Sequence, residues 1–523
     1  MTKSAIHLGA RRLSLGLTLG LSLIAQSPSD LPATIAQFGN GASIQALATD
    51  ANGNIYVAGV LSGTLARALS CPGYFGGFVA KVTPEGKTLW NTPLCTGSLG
   101  VEAAALALDG SGNVYVAGST PSRDFPVTLP RTGVPGKSEG YWGPSTYGYP
   151  TKLGRDGALV YSALFGGEAS DTVTGLAVTG KGLVAVTGYT ASQSFSVTSG
   201  AAFTRPGFTD DNGFAIQFAG TGALAYATYL PGFSVATSGS ASRRPAVSIA
   251  WEASGTALVV GSSAGRISRE GSSLSDPFPS LPGFVLLSKI VIDAAGNVYV
   301  AGAYAGPDSA SAACSTYGYS YPAWETVNPA WDIGVVKLAR DKLAPLYSEH
   351  LGGVCKSDVL SLDVTPDGIV TVAGSTLRGG FPMIDPVSQT VGAVAFRLNQ
   401  AGRPILSSYI QSAVPAASAL DGAIYISSGS SVVRIPRKPT VSFTVGSARN
   451  AFSGGEGSVS PGMLLRIDGR TLPTKRSTWD SIIPIRSRKP STEFKSFSTA
   501  FLPASYGLPL TISSVSRQQR SRT

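Results

Sequence analysis

DANGNIYVAG, at Asp50–Gly59, is a ten-residue sequence that recurs along the chain. Close copies are DGSGNVYVAG at Asp109–Gly118 and DAAGNVYVAG at Asp293–Gly302. Weaker copies begin at Thr179, Glu252, Thr365 and Asp421. Seven copies in a chain of 523 residues indicate an array of similar structural units rather than one irregular domain.

Each copy is typical of the turn and second strand of a β-hairpin, because an apolar alternation precedes it and a β-branched, aromatic run completes it. A second hairpin follows six of the seven copies, as in TKLGRDGALVYSALFGG at Thr151–Gly167. The fourth unit has only a short version near Gly265–Leu274. Two hairpins give four antiparallel strands, which form one blade of a β-propeller. We therefore predict an all-β fold, a seven-bladed β-propeller of four-stranded antiparallel blades over residues 30–436.

The seventh unit lacks its outermost strand. Its first hairpin is followed by a single strand, Ser431–Ile435, and then by a proline-containing segment. Upstream, Pro32–Gly39 (PATIAQFG) resembles the fourth strand of a unit that has no first three. Adding it to the last blade would remove an open sheet edge, which is a liability in β proteins. We predict closure by this N-terminal strand; the alternative is a loose leader followed by an open array.

Residues 1–29 have the pattern of a secretory signal peptide. Lys3, Arg11 and Arg12 form a basic region before the apolar run Leu13–Ala25. Thirteen residues are too few to cross a bilayer as a helix, and no other run approaches that length. We expect a secreted, periplasmic or cell-surface protein with no integral membrane segment after the signal is removed.

The formal net charge of +10 is unevenly distributed. Residues 437–523 carry 14 Lys and Arg against 4 Asp and Glu, whereas residues 13–436 carry 23 against 26. A nucleic-acid-binding domain would carry a basic stripe on its folded body. Because the body is nearly neutral and the basic excess lies in the tail, we expect no nucleic-acid partner.

The repeat D-x-x-G-N-x-Y-V-A-G also resembles a known family. Together with DFPVT at Asp124–Thr128, it is similar to the SBBP repeat of large exported bacterial proteins. The resemblance covers roughly residues 33–436 and is most specific in blades one, two and five. It implies a β-propeller and an exported setting, but it implies no reaction, because the repeat defines a scaffold.

Four cysteines in an exported chain favour disulfides. Cys71 and Cys314 occupy equivalent places in the loop between the second and third strands of blades one and five. Cys95 and Cys355 lie just past the fourth strands of the same two blades, at the same rim. We predict the pairs Cys71–Cys95 and Cys314–Cys355. A zinc site is the alternative, disfavoured because the two pairs belong to separate parts of the ring.

Candidate catalytic and metal-binding residues are few. His7 belongs to the signal and His350 to an outer strand, so a Ser-His-Asp triad would have to use His350. The repeated Asp of the turns suggests calcium, but Leu61 stands where an EF-hand needs Glu. An Asp that begins a turn ordinarily accepts hydrogen bonds from its own backbone. We predict no catalytic residue, no metal site and no cofactor, with calcium as the less favoured alternative.

Two long loops at one rim, in blades two and five, are rich in aromatic residues. Large aromatic side chains in near-neutral loops often form recognition surfaces for a sugar or a protein. The alternative is that the rings pack on one another and hold the loops in place. The candidate ligand-binding residues are Tyr141, Trp142, Tyr147, Tyr149, Tyr317, Tyr319, Tyr321 and Trp324.

Residues 437–523 depart from the repeat. SPGMLLRIDGRTL, which ends at Leu472, resembles the opening of a small β-domain that ends many proteins of the same bacterial groups. The pattern weakens afterwards, since Lys475–Lys495 is basic and poorly patterned. We predict a truncated or degenerate C-terminal β-domain or a partly disordered basic tail. A shifted reading frame would give a similar sequence.

Three functions fit these features. The first is a non-enzymatic, exported binding or surface-interaction propeller, monomeric, whose aromatic rim loops bind a glycan or a protein at the cell surface. The second is a lyase or hydrolase of the propeller type, with its site in the central channel or on the loop rim. The third is a structural spacer in an envelope assembly. The scarcity of histidine favours the first over the second.

Overall fold

The computed structural model describes residues 32–436 except for 70, 72–74, 97–99, 135–138, 141–142, 208–210, 234–247, 306–330, 354–356, 377–379, 385, 387–391, 411–415 and 419–421. Outside that range it describes the backbone of six short strands. The chain forms two compact units, Pro32–Arg437 and a second that combines Met1–Leu31 with Lys438–Thr523. The first unit corresponds to the predicted propeller range of 30–436.

Seven four-stranded antiparallel sheets lie within the described part of the first unit, as predicted. Counted outward from the ring centre, the first strands of blades one to seven are Ala42–Thr49, Glu102–Leu108, Asp171–Val178, Ser248–Trp251, Phe284–Ile292, Ser357–Val364 and Ala416–Ser418. The second strands are Ile55–Ser62, Val114–Thr120, Val184–Thr190, Ala257–Val260, Val298–Tyr304, Val370–Thr376 and Ile424–Ser428. The third strands are Phe75–Val82, Tyr147–Leu153, Asn212–Phe218, Ala264–Ile267, Asp332–Leu338, Ala393–Leu398 and Ser431–Ile435. The fourth strands are Thr88–Cys95, Leu159–Ser162, Leu224–Leu230, Leu274–Ser275, Pro345–Leu351, Pro404–Ile410 and Ala33–Gln37.

Two rims follow from this strand order. The lower rim carries the turns from first to second and from third to fourth strands. The upper rim carries the loops from second to third strands and the connections to the next blade. A six-residue helix, Gly63–Ala68, lies in the upper loop of blade one. No helix among the described residues is long and apolar enough to span a membrane.

The N-terminal strand closes the ring, which confirms the prediction from Pro32–Gly39. Ala33–Gln37 pairs antiparallel with Ser431–Ile435, so that Ala33 lies opposite Arg434 and Gln37 opposite Ser431. The Phe38 amide continues the contact by donating to the Ser430 carbonyl over 2.9 Å. The last blade therefore takes its outermost strand from the start of the first unit.

Five of the seven recurring sequences end in a glycine that fits closely against the neighbouring first strand. In blade two the first strand has a bulge between Ala103 and Ala105, where it faces Ala117 and Gly118. A Cβ added to Gly118 would lie 1.8 Å from the Glu102 carbonyl oxygen. The equivalent distances at Gly59, Gly188, Gly302 and Gly374 are 2.0, 1.9, 2.0 and 2.5 Å. The glycine is thus required by close approach of two backbones at the bulge.

The hydrophobic core lies between blades. Second strands are buried along nearly their whole length, as in Val114–Thr120, because both of their faces contact neighbouring blades. The phenylalanine of the DFP sequence, Phe125, is buried, and its ring lies 4.4 Å from that of Tyr149. Phe195 and Phe381 occupy equivalent buried places, and the amide of each donates to a tyrosine hydroxyl of its blade.

The second unit contains a four-stranded antiparallel sheet. Its strands are Gly20–Ser22, Ser442–Asn450, Leu464–Arg470 and Trp479–Pro484, and a separate pair is Ala500–Phe501 with Pro509–Leu510. Leu464–Arg470 falls in the SPGMLLRIDGRTL stretch, where the sequence predicted the opening of a β-domain. Gly20–Ser22 falls inside the predicted signal peptide, which stays a prediction.

The Gly118→Ala variant should be clearly less stable than the wild type. Its methyl group would meet a backbone carbonyl that cannot rotate away, so we expect a loss of about 2 kcal/mol or more in the free energy of unfolding. Urea unfolding followed by circular dichroism measures this loss. Gly180→Ala is the matched control, because a Cβ there meets nothing within 4 Å. Equal stability of the two variants would show that the close approach at the bulge is not a constraint.

Candidate functional site

The repeated aspartate of the lower rim is a turn residue, as predicted. One carboxylate oxygen of Asp50 accepts the amides of Asn52 and Asn54, both at 2.9 Å. The other accepts the Asn54 side-chain amide at 2.8 Å and the Tyr56 hydroxyl at 3.1 Å. The same arrangement recurs at Asp109 with Ser111, Asn113 and Tyr115, and at Asp293 with Asn297 and Tyr299. These carboxylates are occupied by protein donors that fix the hairpin turns.

These contacts also set the charge state of the turn aspartates. Burial raises the pKa of Asp50, but the hydrogen bonds from Asn54, Tyr56 and Asn52 outweigh it and hold the pKa below its ordinary value. Lys81 lies 3.6 Å from the same carboxylate, with its ammonium over the Tyr56 ring. The turn aspartates are therefore ionised, and their charge is stabilised by donors of the same turn and, at Asp50, by Lys81.

The aromatic candidates divide into two groups. Tyr141, Trp142, Tyr317, Tyr319, Tyr321 and Trp324 lie outside the described residues. Tyr147 and Tyr149 are described, and their predicted place in a rim loop is wrong. Both belong to the third strand of blade two and are buried at 2% and 0% exposure. Gly148, which lies between them in the strand, cannot carry a side chain, because a Cβ would lie 2.2 Å from the Phe165 ring.

The hydroxyls of the two buried tyrosines bind the protein itself. The Tyr149 hydroxyl donates to the Glu102 carbonyl over 3.0 Å, and the Tyr147 hydroxyl accepts from the Arg123 guanidinium over 3.0 Å. Burial raises the pKa of Tyr149 far above its ordinary value. These two residues thus hold the third strand against the rest of the blade.

The first predicted disulfide is present. Cys71 and Cys95 are joined by an S–S bond of 2.06 Å, which links the upper loop of blade one to the end of its fourth strand. Cys314 and Cys355 lie outside the described residues, so their pairing stays a prediction. The observed bond confirms that the loop and the strand exit share the upper rim.

An aromatic and polar cluster stands on the upper rim of blade five, at the base of the loop 306–330. Tyr304 ends the second strand and Asp332 begins the third, so these two residues flank the loop. The Asp332 carboxylate lies 2.9 Å from Nδ1 of His350, and the His350 ring stacks on Tyr304 with centroids 4.5 Å apart. The His350 side chain is 45% exposed. His350 does lie on an outer strand, as predicted, but it also belongs to a defined rim surface.

The Tyr304–Asp332–His350 cluster is held rigidly. Phe284 packs edge-on against Tyr304 at 5.5 Å, and a Cβ at Gly283 would lie 2.3 Å from the Tyr304 ring. One face of the imidazole is covered by Tyr304 and its Nδ1 is held by Asp332, which leaves the remainder of the ring to solvent. Among the described residues, no group of three or more His, Cys, Asp and Glu side chains is placed to hold a metal ion.

A buried carboxyl group lies on the upper rim of blade three, where sequence reasoning found none. Asp171 is 0% exposed and accepts hydrogen bonds from the Thr190 hydroxyl, the Gly167 amide and the Ser192 hydroxyl. Burial raises its pKa to about 7 against the lowering effect of these three donors, and the nearby Glu168 adds to the rise. Asp171 thereby joins the connection from blade two to the upper loop of blade three.

The ring encloses a central channel of about 700 Å³. Its wall is formed by the first strands of blades one to six and combines apolar side chains such as Leu106 and Leu176 with polar ones such as Gln45 and Lys289. Asp50, Thr365 and other turn residues surround its lower mouth. A volume of this size lies in the range of small-molecule sites.

Asp171→Asn should change how stability depends on pH. Because the folded pKa of Asp171 lies above its unfolded value, its contribution to stability is greatest below pH 3.8 and declines as the pH rises to about 7. The variant lacks this decline, so the wild type should lose a few kcal/mol relative to it between those pH values. Urea unfolding across this pH range, with the exposed Asp156→Asn as control, measures the difference. Parallel pH profiles for wild type and Asp171→Asn would contradict the assignment.

Comparison with known proteins finds similar folds but no family. No protein family's sequence profile matches the chain, and no curated protein sequence matches it. Among solved structures, the RRP9 WD40 repeats are similar with a TM-score of 0.43 and 10% identity, covering 80% of this chain and 99% of that one. U3-55K is similar with a TM-score of 0.44 and 11% identity, covering 79% of this chain and 100% of that one. The WD40 β-propeller domain of Doa1 has a TM-score of 0.39 and 10% identity, covering 80% of this chain and 96% of that one. At these identities the likeness concerns the fold alone.

Proposed function

We propose that this chain is an exported, non-enzymatic binding propeller of the SBBP repeat type, which recognises a glycan or a protein at the cell surface through its upper rim at blade five. The observation that carries the proposal is the Tyr304–Asp332–His350 cluster at the two ends of the loop 306–330. It combines an exposed ring face with a carboxylate on a rigid base, next to a loop whose sequence is rich in aromatic residues.

The chemistry of the Tyr304–Asp332–His350 cluster suits a polyhydroxylated ligand. Sugars offer C–H faces that pack on flat rings and hydroxyls that donate to carboxylates. The His350 ring supplies the flat surface, and Asp332 keeps one carboxylate oxygen beyond the one that contacts Nδ1 of His350. Since Tyr304 and Asp332 are fixed by the sheet, little conformational entropy is lost when a ligand binds.

The resemblance of the repeat to the SBBP repeat is a second argument for the same proposal. The phenylalanines of the DFP-type sequences, Phe125, Phe195 and Phe381, are all buried at equivalent places, so this part of the resemblance corresponds to packing of the blade. A repeat that specifies a scaffold leaves recognition to the variable upper loops.

A glycan array probed with the mature protein, residues 30–523, tests the proposal. We expect His350→Ala, Trp324→Ala or Trp142→Ala to weaken the bound signal by on the order of tenfold, because His350 offers a flat ring at the upper rim and the two tryptophans belong to the aromatic loops that the sequence predicts at that rim. Leu346→Ala is the matched control, since Leu346 is a 57% exposed residue near the other end of the same strand as His350.

Loss of binding in these three variants with an unchanged control would support recognition at the upper rim. If the wild type binds a ligand and all three variants bind it equally well, the proposed rim surface is wrong. A protein partner would be indicated by the same pattern of losses in a cross-linking experiment on the native cell surface.

A further inference from the structure

One residue position in the channel wall is small in five of the six blades where the structure describes it. It is the residue of the first strand that pairs with the alanine, or its equivalent, before the repeat glycine. Blades one, two, three, four and six have Ala46, Ala105, Gly175, Ser248 and Ser361 there, opposite Ala58, Ala117, Thr187, Val260 and Ala373. Blade five has Lys289, opposite Ala301. A long cationic side chain therefore replaces a small one at one of these six described positions.

Lys289 lines the channel and is enclosed by protein. Burial lowers the pKa of its ammonium group. Among the described residues, no side chain or carbonyl hydrogen-bonds to it and no carboxylate pairs with it. Part of its surface is accessible, because the channel reaches it. Lys289 is thus a half-buried lysine that lines the channel, with no hydrogen-bond or ion-pair partner among the described residues.

The two described carboxylates of the channel wall are engaged elsewhere. Asp363 lies two positions beyond Ser361 on the neighbouring first strand, toward the lower rim, and makes interactions of its own. Asp50, at the lower mouth, is held by Asn54, Tyr56 and Lys81. Neither carboxylate supplies a counter-charge to Lys289.

A buried, unpaired ammonium group costs free energy unless an anion joins it. Below Lys289 the wall presents apolar side chains such as Leu106 and Leu176 beside polar ones such as Thr365, so it suits a molecule with a partly apolar body. We propose that the central channel binds a small amphiphilic anion, an apolar molecule with one carboxylate or sulfonate group, whose head contacts Lys289 and whose body points toward the lower mouth. This site is separate from the upper rim surface of blade five.

The negative charge of Asp363 narrows the ligand class further. A strand rises about 3.3 Å per residue, so Asp363 lies roughly 7 Å further along the wall than the Lys289 level. A second anionic group at that depth would meet the carboxylate of Asp363, which already makes interactions of its own. The channel should therefore prefer monoanions over molecules with a negative charge at each end.

Fluorescence titration of the full mature chain with two related dyes tests this proposal. The first dye is 8-anilinonaphthalene-1-sulfonate, an apolar anion, and the second is N-phenyl-1-naphthylamine, the same ring system without the sulfonate. We expect Lys289→Met to lower the affinity for the anionic dye by about tenfold or more and to leave the affinity for the neutral dye unchanged, because only the ion pair is lost. Octanoate should displace the anionic dye from the wild type, and octanedioate should displace it less well.

Two variants serve as controls. Lys337→Met removes one positive charge from the same blade at a place outside the channel wall, over the Tyr299 ring, and should leave both affinities unchanged. Asp363→Asn should bind the anionic dye at least as tightly as the wild type. The proposal is overturned if the wild type fails to bind the anionic dye, or if Lys289→Met binds it within about twofold of the wild type. An equal loss of both dyes would also overturn it, because the ammonium would then not be the feature recognised.

Discussion

The pairing of Ala33–Gln37 with Ser431–Ile435 is the contact on which the ring depends. A row of blades has two open edges, and each blade buries its faces only against its neighbours. The seventh blade takes its outer strand from the opposite end of the unit, so that blade seven is anchored to the residues that lead into blade one. The channel, the two rims and the spacing of the loops all follow from a ring that is closed.

In blades one, two, three, five and six, the fit between a glycine and a bulge sets the shape of the channel wall. The repeat glycine, such as Gly302, lets the first strand come so close that a Cβ would lie 2.0 Å from the Leu286 carbonyl oxygen. The bulge bends the first strand. The residue after the bulge pairs regularly again, always opposite the residue that precedes the repeat glycine. Lys289 is this residue in blade five, so the local geometry that builds the scaffold also positions the lysine in the channel wall.

The sequence was sufficient to predict the features that recur. Seven copies of one turn and strand pattern predicted seven blades, and the unmatched strand at Pro32–Gly39 predicted the closure. Equivalent places in the repeat predicted the Cys71–Cys95 bond. Periodic features are predictable because each copy supports the interpretation of the others.

Features that occur once were missed or misjudged. Tyr147 and Tyr149 were predicted as part of an aromatic loop, whereas they belong to the third strand of blade two, in which Gly148 makes room for the Phe165 ring. Nothing in the sequence marks Asp171 as buried, since its burial depends on the packing of two separate connections. A comparison of the copies could have singled out Lys289, because Ala, Ala, Gly, Ser and Ser occupy its position in five other blades. Its position in the channel wall could not be predicted in this way, because the channel exists only in the closed ring.

Hydrogen exchange of the mature chain, resolved to the segment Ala33–Gln37, tests the closed ring most directly. Amides that pair with Ser431–Ile435 should exchange as slowly as those in the outer strands of the other blades, because opening them requires opening the ring. Exchange of this segment at the rate of an unstructured peptide, while the other outer strands stay protected, would show that the ring is not closed by the N-terminal strand.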